Sequence, residues 1–305
     1  MPEMKVGFIG LGAMGLPMAK RVVAGGYEVL TMVHRRREPA EELAALGARI
    51  LETPAEIARE AGVVITILPA DAELKETALG EGGLIHGFSP GKVLIEMTTA
   101  TAFSIREVEE ALAKVGGRVL DAPVSGGTPA AANGTLTIMV GGEGALLDEC
   151  RPLLETMGKT ILHVGAVGQG KVVKMVNQLM AAVHLLAIGE AFSLGVKCGA
   201  DPAMLYEVIK SSSGYSKMMD LRLPGFLLAG SFEPGFKLDL MKKDVNLAID
   251  SARALGLPLA LGGLAGQVFA AASAAGKGGD DFSAAAQFLA DAAGVPLTAA
   301  AGRQA

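Results

Sequence analysis

The stretch KVGFIGLGAMG, residues 5–15, decides how the rest of the chain is read. Val6, Phe8 and Ile9 make a short apolar run that stops at Gly10, and the glycines at 10, 12 and 15 fall in G-x-G-x-x-G spacing at a strand-to-helix turn. Glycine is common and the bare pattern is weak; its place directly after the first strand gives it weight. Gly10 is expected to make the tight turn, Gly12 to let a pyrophosphate reach the backbone, and Gly15 to let helix and strand approach. The helix start adds free amides and a partial positive charge suited to phosphate. Leu11, Ala13 and Met14 complete the expected cofactor-binding loop, which would hold a dinucleotide.

Beyond this loop, β-branched runs alternate with helical patterns. EVLTMV (28–33), VVITIL (63–68), KVLIEM (92–97), RVLDAPV (118–124), TLTIMVGG (135–142) and KTILHVG (159–165) read as strands. Segments such as ELAALGA and ALLDECRPLLETMG lie between them and read as helices. Apolar runs without polar alternation indicate strands covered on both faces, hence a mostly parallel sheet built from βαβ units. After Gly165 the strand runs vanish, and stretches of 3.6-residue period rich in Ala, Leu and Met continue to the end. The expected class is α/β: a Rossmann-type, doubly wound domain over 1–164, then an all-helical substrate and oligomerisation domain over 165–305.

Composition narrows the function. The 305 residues leave room for two domains and a sizeable core. Half are hydrophobic, 19% are charged and the net charge is −5, which offers no basic footprint for nucleic acid. Cys150 and Cys198 lack metal-type spacing and the four histidines are scattered, so no metal site is expected and a reduced, cytoplasmic setting fits best. MPEMKVGFIG enters a strand at once, without a basic leader. The uncharged run from Ala254 to Ala275 has the length of a membrane span, but Gly256 and Pro258 interrupt it. It is read as a helix end, a turn and a buried alanine-rich helix, with no membrane partner.

The second strand bears on which dinucleotide is bound. An NAD site usually carries Asp or Glu roughly 20 residues past the glycines, where it holds the ribose 2′-hydroxyl. Here that slot holds His34, followed by Arg35, Arg36 and Arg37. A carboxylate would repel a 2′-phosphate, whereas guanidinium groups bind one through paired, charge-assisted hydrogen bonds. NADP(H) is the expected cofactor, with NAD(H) possible; a solvated basic loop is the plain alternative.

Two further blocks carry chemistry. In DAPVSGGTPAAANGTLTIMVGG (121–142), Ser125, Gly126 and Gly127 follow a strand, in the crevice where α/β proteins bind ligands. Successive glycine amides and a hydroxyl can form a concave anion site for a small carboxylate. In GKVVKMVNQ (170–178), helical spacing puts Lys171, Lys174, Asn177 and Gln178 in one stripe among valines and methionines. A surface helix could present that stripe to water. A helix packed on nearly all sides could instead line a polar cavity with it, where partial desolvation suits an ammonium to proton exchange.

Taken together, GFIGLGAMG, DAPVSGG…GTLTIMVGG, GQGKVVKMVNQ and FKLDLMKKD resemble the β-hydroxyacid dehydrogenase family, over almost the whole chain. The family includes 3-hydroxyisobutyrate dehydrogenases, tartronate semialdehyde reductases and glyoxylate/succinic semialdehyde reductases. The resemblance implies an NADP(H)-dependent oxidoreductase that interconverts a small 3-hydroxy acid, or a short 2- or 4-hydroxy acid, with its semialdehyde or oxo acid. It puts the family's catalytic lysine on Lys174, as general acid and base, and its orienting amides on Asn177 and Gln178. The substrate motif falls on Ser125, Gly126 and Gly127. The late F-x₆-K-D motif falls on Phe236 and Asp244 near substrate and on Lys243 near the cofactor. It makes Arg35, between His34 and Arg36, the 2′-phosphate ligand. Leu68 and Pro69 after the third apolar run, and Thr98, also fall on cofactor positions. The family's D-x-S-T becomes Glu96-Met97-Thr98-Thr99, which keeps both hydroxyls. Lys171 is read as a rim charge.

Imine reductases share this architecture but usually lack a lysine at the catalytic position. A non-catalytic dinucleotide-binding protein would be expected to have lost the stripe, yet Lys174, Asn177, Lys243 and Asp244 are all present. A 6-phosphogluconate dehydrogenase needs a larger helical domain. Thr128 and SSSGYS (211–216) are candidate pocket residues. The apolar helices of the second half suggest a homodimer or homotetramer.

Overall fold

The computed structural model describes residues 4–298. They form two compact units, one ending at Lys174 and the other beginning at Met175.

The first unit holds the strands β1 (Lys5–Ile9), β2 (Glu28–Met32), β3 (Arg49–Leu51), β4 (Val63–Thr66), β5 (Val93–Glu96), β6 (Arg118–Asp121), β7 (Val124–Ser125), β8 (Leu136–Gly141) and β9 (Gly158–Gly165). They join in one sheet in the order β3-β2-β1-β4-β5-β6-β8-β7, with β9 on β8. The first six strands pair in parallel, β8 runs antiparallel to β6 and β7, and β9 is parallel to β8. The helices α1 (Gly15–Ala24), α2 (Glu38–Ala44), α3 (Pro54–Glu60), α4 (Asp71–Leu79), α5 (Ala102–Ala113), α6 (Gly127–Asn133) and α7 (Gly144–Leu154) connect them.

Alternate strand residues enter two separate cores. Phe8, Val29, Ile65, Ile95 and Leu120 pack with Met18 and Leu147. Their neighbours Leu30, Val64, Leu94 and Val119 pack with Ile57, Leu74 and Leu112. Both faces of the sheet are therefore covered, which is why the strands read as unbroken apolar runs. Chain order reverses at β1, which lies between β2 and β4, and ligands bind at the carboxyl ends of strands beside such a switch. The sequence reading did not list β3 and β7, which are only three and two residues long.

Helix α8 (Gln169–Lys197) contains the division between the units. Among the described residues the rest of the second unit holds α9 (Pro202–Lys210), α10 (Lys217–Arg222), a π-helical turn at Leu223–Leu227, α11 (Leu238–Ala254), α12 (Ala260–Ala272), a second π-helical turn at Ser273–Lys277 and α13 (Ala284–Ala292). Its core gathers Leu185, Phe192, Leu223, Val245 and Phe269. Helix α8 has the length and mean hydropathy of a membrane span, but much of its apolar stretch packs into this core. The break between α11 and α12 falls at Leu255–Leu259, around the Gly256 and Pro258 singled out above.

Candidate active site

The glycine loop has the geometry of a phosphate cradle. Gly10 has φ 104°, and a Cβ there would lie 2.1 Å from the Ile67 carbonyl. A Cβ on Gly15 would lie 1.7 Å from the Gly10 carbonyl, so strand and helix touch there. Gly12 differs: a Cβ would meet nothing within 4 Å, and its φ is not positive. No protein neighbour requires glycine at that position, whereas a ligand lying on the backbone would. Helix α1 opens with no capping side chain and no acidic residue in its first turn, so no side chain opposes an anion at the positive end of its dipole, although the Leu16 amide already donates to the Gly12 carbonyl at 3.0 Å. These residues fit a dinucleotide.

After β2, His34, Arg35 and Arg36 are exposed. Arg37 donates to Glu41 at 2.8 Å at the start of α2. Among the described residues Arg35 and Arg36 make no ion pair.

At the carboxyl ends of β4 and β5, Leu68 is half-buried, Pro69 exposed and Thr98 buried. The Leu68 amide donates to Thr98 Oγ1 at 2.8 Å, joining two of the expected cofactor positions. Beneath them lies a group the sequence reading misplaced. Lys171 is no rim charge: it is 1% exposed and forms an ion pair with Glu96. Its ammonium also donates to the carbonyls of Glu96 at 2.9 Å and Thr98 at 2.7 Å. The sequence holds only half of the signal: a glutamate ending an apolar strand needs a buried partner, but the spacing of Lys171 from Lys174 does not say whether that lysine faces water or a carboxylate.

Asp121, at the end of β6, was also missed. It is wholly buried, and its carboxylate accepts the amides of Gly168 and Lys171, each at 2.8 Å, fixing the first turn of α8. An acid at a helix start satisfies orphan amides and complements the dipole.

Ser125 ends β7, and Gly126 and Gly127 follow with φ of 136° and 70°. A Cβ on Gly126 would lie 2.5 Å from that of Ala130, so the turn admits no side chain there. Two successive amides in this conformation can present donors to a carboxylate.

Along α8 the usual polarity is inverted. Lys171, Lys174 and Gln178 are buried, whereas Val173, Val176 and Met180 are exposed. The surface-helix reading of this stripe is therefore overturned. Asn177 is exposed, one step off the buried line, and its side-chain amide donates to Gln178 Oε1 at 3.1 Å. Gln178 Nε2 donates to Asp244 Oδ2 at 2.7 Å. On α11, Asp244 is buried, and its Oδ1 lies 3.0 Å from Lys243 Nζ, at ion-pair distance but off the angle of a hydrogen bond. Phe236 is half-buried and packs edge-on against Phe282, with centroids 5.9 Å apart. Its amide donates to the buried Asp281 at 3.1 Å. Among the described residues no cluster of His, Cys, Asp and Glu could hold a metal ion.

Known proteins resemble the chain along most of its length. Residues 5–165 match the family described as the NAD binding domain of 6-phosphogluconate dehydrogenase. Residues 168–289 match that described as NAD-binding of NADP-dependent 3-hydroxyisobutyrate dehydrogenase. The 2-(hydroxymethyl)glutarate dehydrogenase of Eubacterium barkeri is 38% identical, over 92% of this chain and 93% of that protein. The 2-hydroxy-3-oxopropionate reductase of Escherichia coli K12 is 35% identical, over 94% of this chain and 97% of that protein. A Mycobacterium tuberculosis 3-hydroxyisobutyrate dehydrogenase solved with L-serine superposes with a TM-score of 0.87 at 34% identity, covering 94% of this chain and 99% of that one. With both family matches in chain order and a nicotinamide dinucleotide cradle in place, the chain belongs to the β-hydroxyacid dehydrogenases, NAD(P)-dependent enzymes acting on small hydroxy acids.

Proposed function

We propose that this enzyme interconverts 2-substituted 3-hydroxypropanoates with their C3 aldehydes, prefers NADP(H), and uses Lys174 as acid and base. The observation that carries the catalytic assignment is the full commitment of Lys171. Its three protons have three acceptors, on Glu96 and Thr98, which takes it out of consideration, and Lys174, the other buried lysine of the stripe, stands where the resemblance puts the catalytic lysine. The substrate class rests on chemistry shared by the relatives' names. 2-(Hydroxymethyl)glutarate, 3-hydroxyisobutyrate and L-serine are propanoates with a hydroxyl at C3 and a substituent at C2, and 2-hydroxy-3-oxopropionate is the aldehyde of such an acid. NADP(H) is supported by Arg35 and Arg36, which make no ion pair among the described residues, and by the absence of an acid at the end of β2.

When bound, the nicotinamide supplies or accepts the hydride. The chain's own residues do the rest. Ser125, Gly126 and Gly127 hold the carboxylate, which sets the distance to C3. Lys174 gives its proton to the carbonyl oxygen in reduction and takes it back in oxidation, and as an ammonium it polarises that carbonyl beforehand. Asn177 and Phe236 are proposed substrate contacts. Gln178 and Asp244 bond each other, so their proposed part is to hold the substrate face in place.

Steady-state kinetics on a panel of acids with both cofactors tests the reading. A C3 aldehyde acid should exceed a plain aldehyde of equal size by about 10² in kcat/KM, since one carboxylate held by charge-assisted bonds supplies roughly 1.5–3 kcal/mol per bond. Equal efficiency would sink the carboxylate clamp even if reductase activity remained.

A further inference from the structure

The proposed reaction uses neither Glu96 nor Lys171, yet both side chains are wholly buried. The carboxylate sits on the last residue of β5 and the ammonium in the first turn of α8. Besides the ion pair itself, Lys171 Nζ reaches the Glu96 carbonyl at 2.9 Å and the Thr98 carbonyl at 2.7 Å. Glu96 Oε1 accepts the Thr98 amide at 2.9 Å and, at a long 3.5 Å, the Thr66 hydroxyl. Thr98 is thus gripped through its N–H by Glu96 and through its C=O by Lys171, while its hydroxyl oxygen accepts the Leu68 amide. One ion pair ties together the turn after β4, the turn after β5 and the first turn of α8. Lys174 is three residues further along the same buried line.

Such a pair is a poor source of stability. Desolvating two charges is costly, and an apolar pair of similar volume is often as stable or more so. Stability does not account for this arrangement, whereas placing Thr98 and Lys174 does.

We infer that Lys171 and Glu96 are positioning residues: together they hold Thr98 against Leu68 on the cofactor side and set the first turn of α8, so that Lys174 meets the reacting carbonyl in register. The inference rests on the hydroxyacid dehydrogenase reading above.

The test compares Lys171→Met, Glu96→Gln, the double variant and Glu96→Asp. Each is measured for thermal midpoint without ligand, NADPH affinity by nicotinamide fluorescence, and kcat and KM. Each single neutral variant leaves one buried charge uncompensated, so its midpoint should fall, and the double should recover it. In the double, kcat should stay at least about tenfold below wild type and the NADPH Kd should rise about threefold or more, with the acid's KM within about threefold, because misplaced groups cost rate without losing fold. A merely structural role predicts that kcat and Kd recover with the midpoint, and that result would overturn the inference. Should the double variant not fold, Glu96→Asp decides, since it keeps both charges. It should hold its midpoint but lose about threefold or more in kcat, and unchanged kcat and Kd would count against positioning. If the wild type binds NADPH but turns over no hydroxy acid, the proposed function fails separately, and the variants' NADPH affinity still decides the positioning role.

Discussion

Gly170 lies so close to Asp121 that a Cβ on it would fall 2.7 Å from the Asp121 Oδ2 and 2.8 Å from its carbonyl oxygen. The Met139 carbonyl would be nearer still, at 2.5 Å. Two of these three atoms are backbone, so a side chain here cannot be absorbed by a rotamer change. Overpacking of this kind costs about 1–3 kcal/mol and sometimes more. Gly170→Ala should therefore lower the thermal midpoint by several degrees, roughly 2–4 °C per kcal/mol for units of this size. It should also loosen the first turn of α8 and with it Lys174. A calorimetric scan showing no change would mean that Asp121 does not clamp the helix start.

Lys174→Ala should separate binding from chemistry. The cofactor cradle lies in the loop after β1 and does not use Lys174, so NADPH affinity should hold while turnover falls by about 10² or more, the scale of a lost general acid. Near-wild-type kcat at saturating acid would remove Lys174 from the mechanism.

Replacing Arg35 and Arg36 together with serine tests the cofactor preference. Only NADPH carries a 2′-phosphate, and one charge-assisted hydrogen bond is worth about 1.5–3 kcal/mol, so NADPH binding should weaken roughly 10- to 100-fold. NADH binding should change little. Equal weakening of both would identify the loop as merely solvated.

The sheet was legible because burial on both faces leaves a strong trace: Phe8 and Ile9, or Leu94 and Ile95, enter different cores yet are equally apolar. The glycine loop was legible because close backbone approach admits no substitute at Gly10 or Gly15. Lys171 was not. A lysine at helical spacing from another polar residue looks the same in sequence whether it faces water or a carboxylate, and its partner Glu96 stands 75 positions earlier. Asp121 was hidden in the same way, since its contacts with Gly168 and Lys171 form only once β6 and α8 are in place. Local pattern reports burial; it does not report which distant group satisfies a buried charge.

The two cysteines should differ sharply toward thiol reagents. Cys150 is buried in the core of the first unit, and burial pushes its thiol up to about 11, with the nearby Glu149 charge adding to the rise. A raised thiol pKa means less thiolate at pH 8, and thiolate is the reacting form. Cys198 is exposed. A chromogenic disulfide reagent should therefore titrate one thiol quickly in the native protein and the second only on unfolding. Two fast thiols would show that the core around Leu147 and Cys150 opens readily.

Assembly is the last expectation, and the surface of the second unit motivates it. Leu261 and Leu264 on α12 are 66% and 65% exposed, and Leu255 and Leu257 just before them are also exposed. Helix α12 carries no charged residue at all. Apolar side chains this dense on one helix and its leading turn are unusual for a face left in water and are normal for a symmetric subunit contact. Sedimentation at micromolar concentration should show a homodimer or homotetramer rather than the 31.1 kDa chain. Leu261→Glu with Leu264→Glu should shift that equilibrium toward monomer, because two carboxylates buried without partners oppose association. A wild type that sediments only as a monomer would show that this face serves no self-association. A double variant that stays fully assembled would place the contact elsewhere on the second unit.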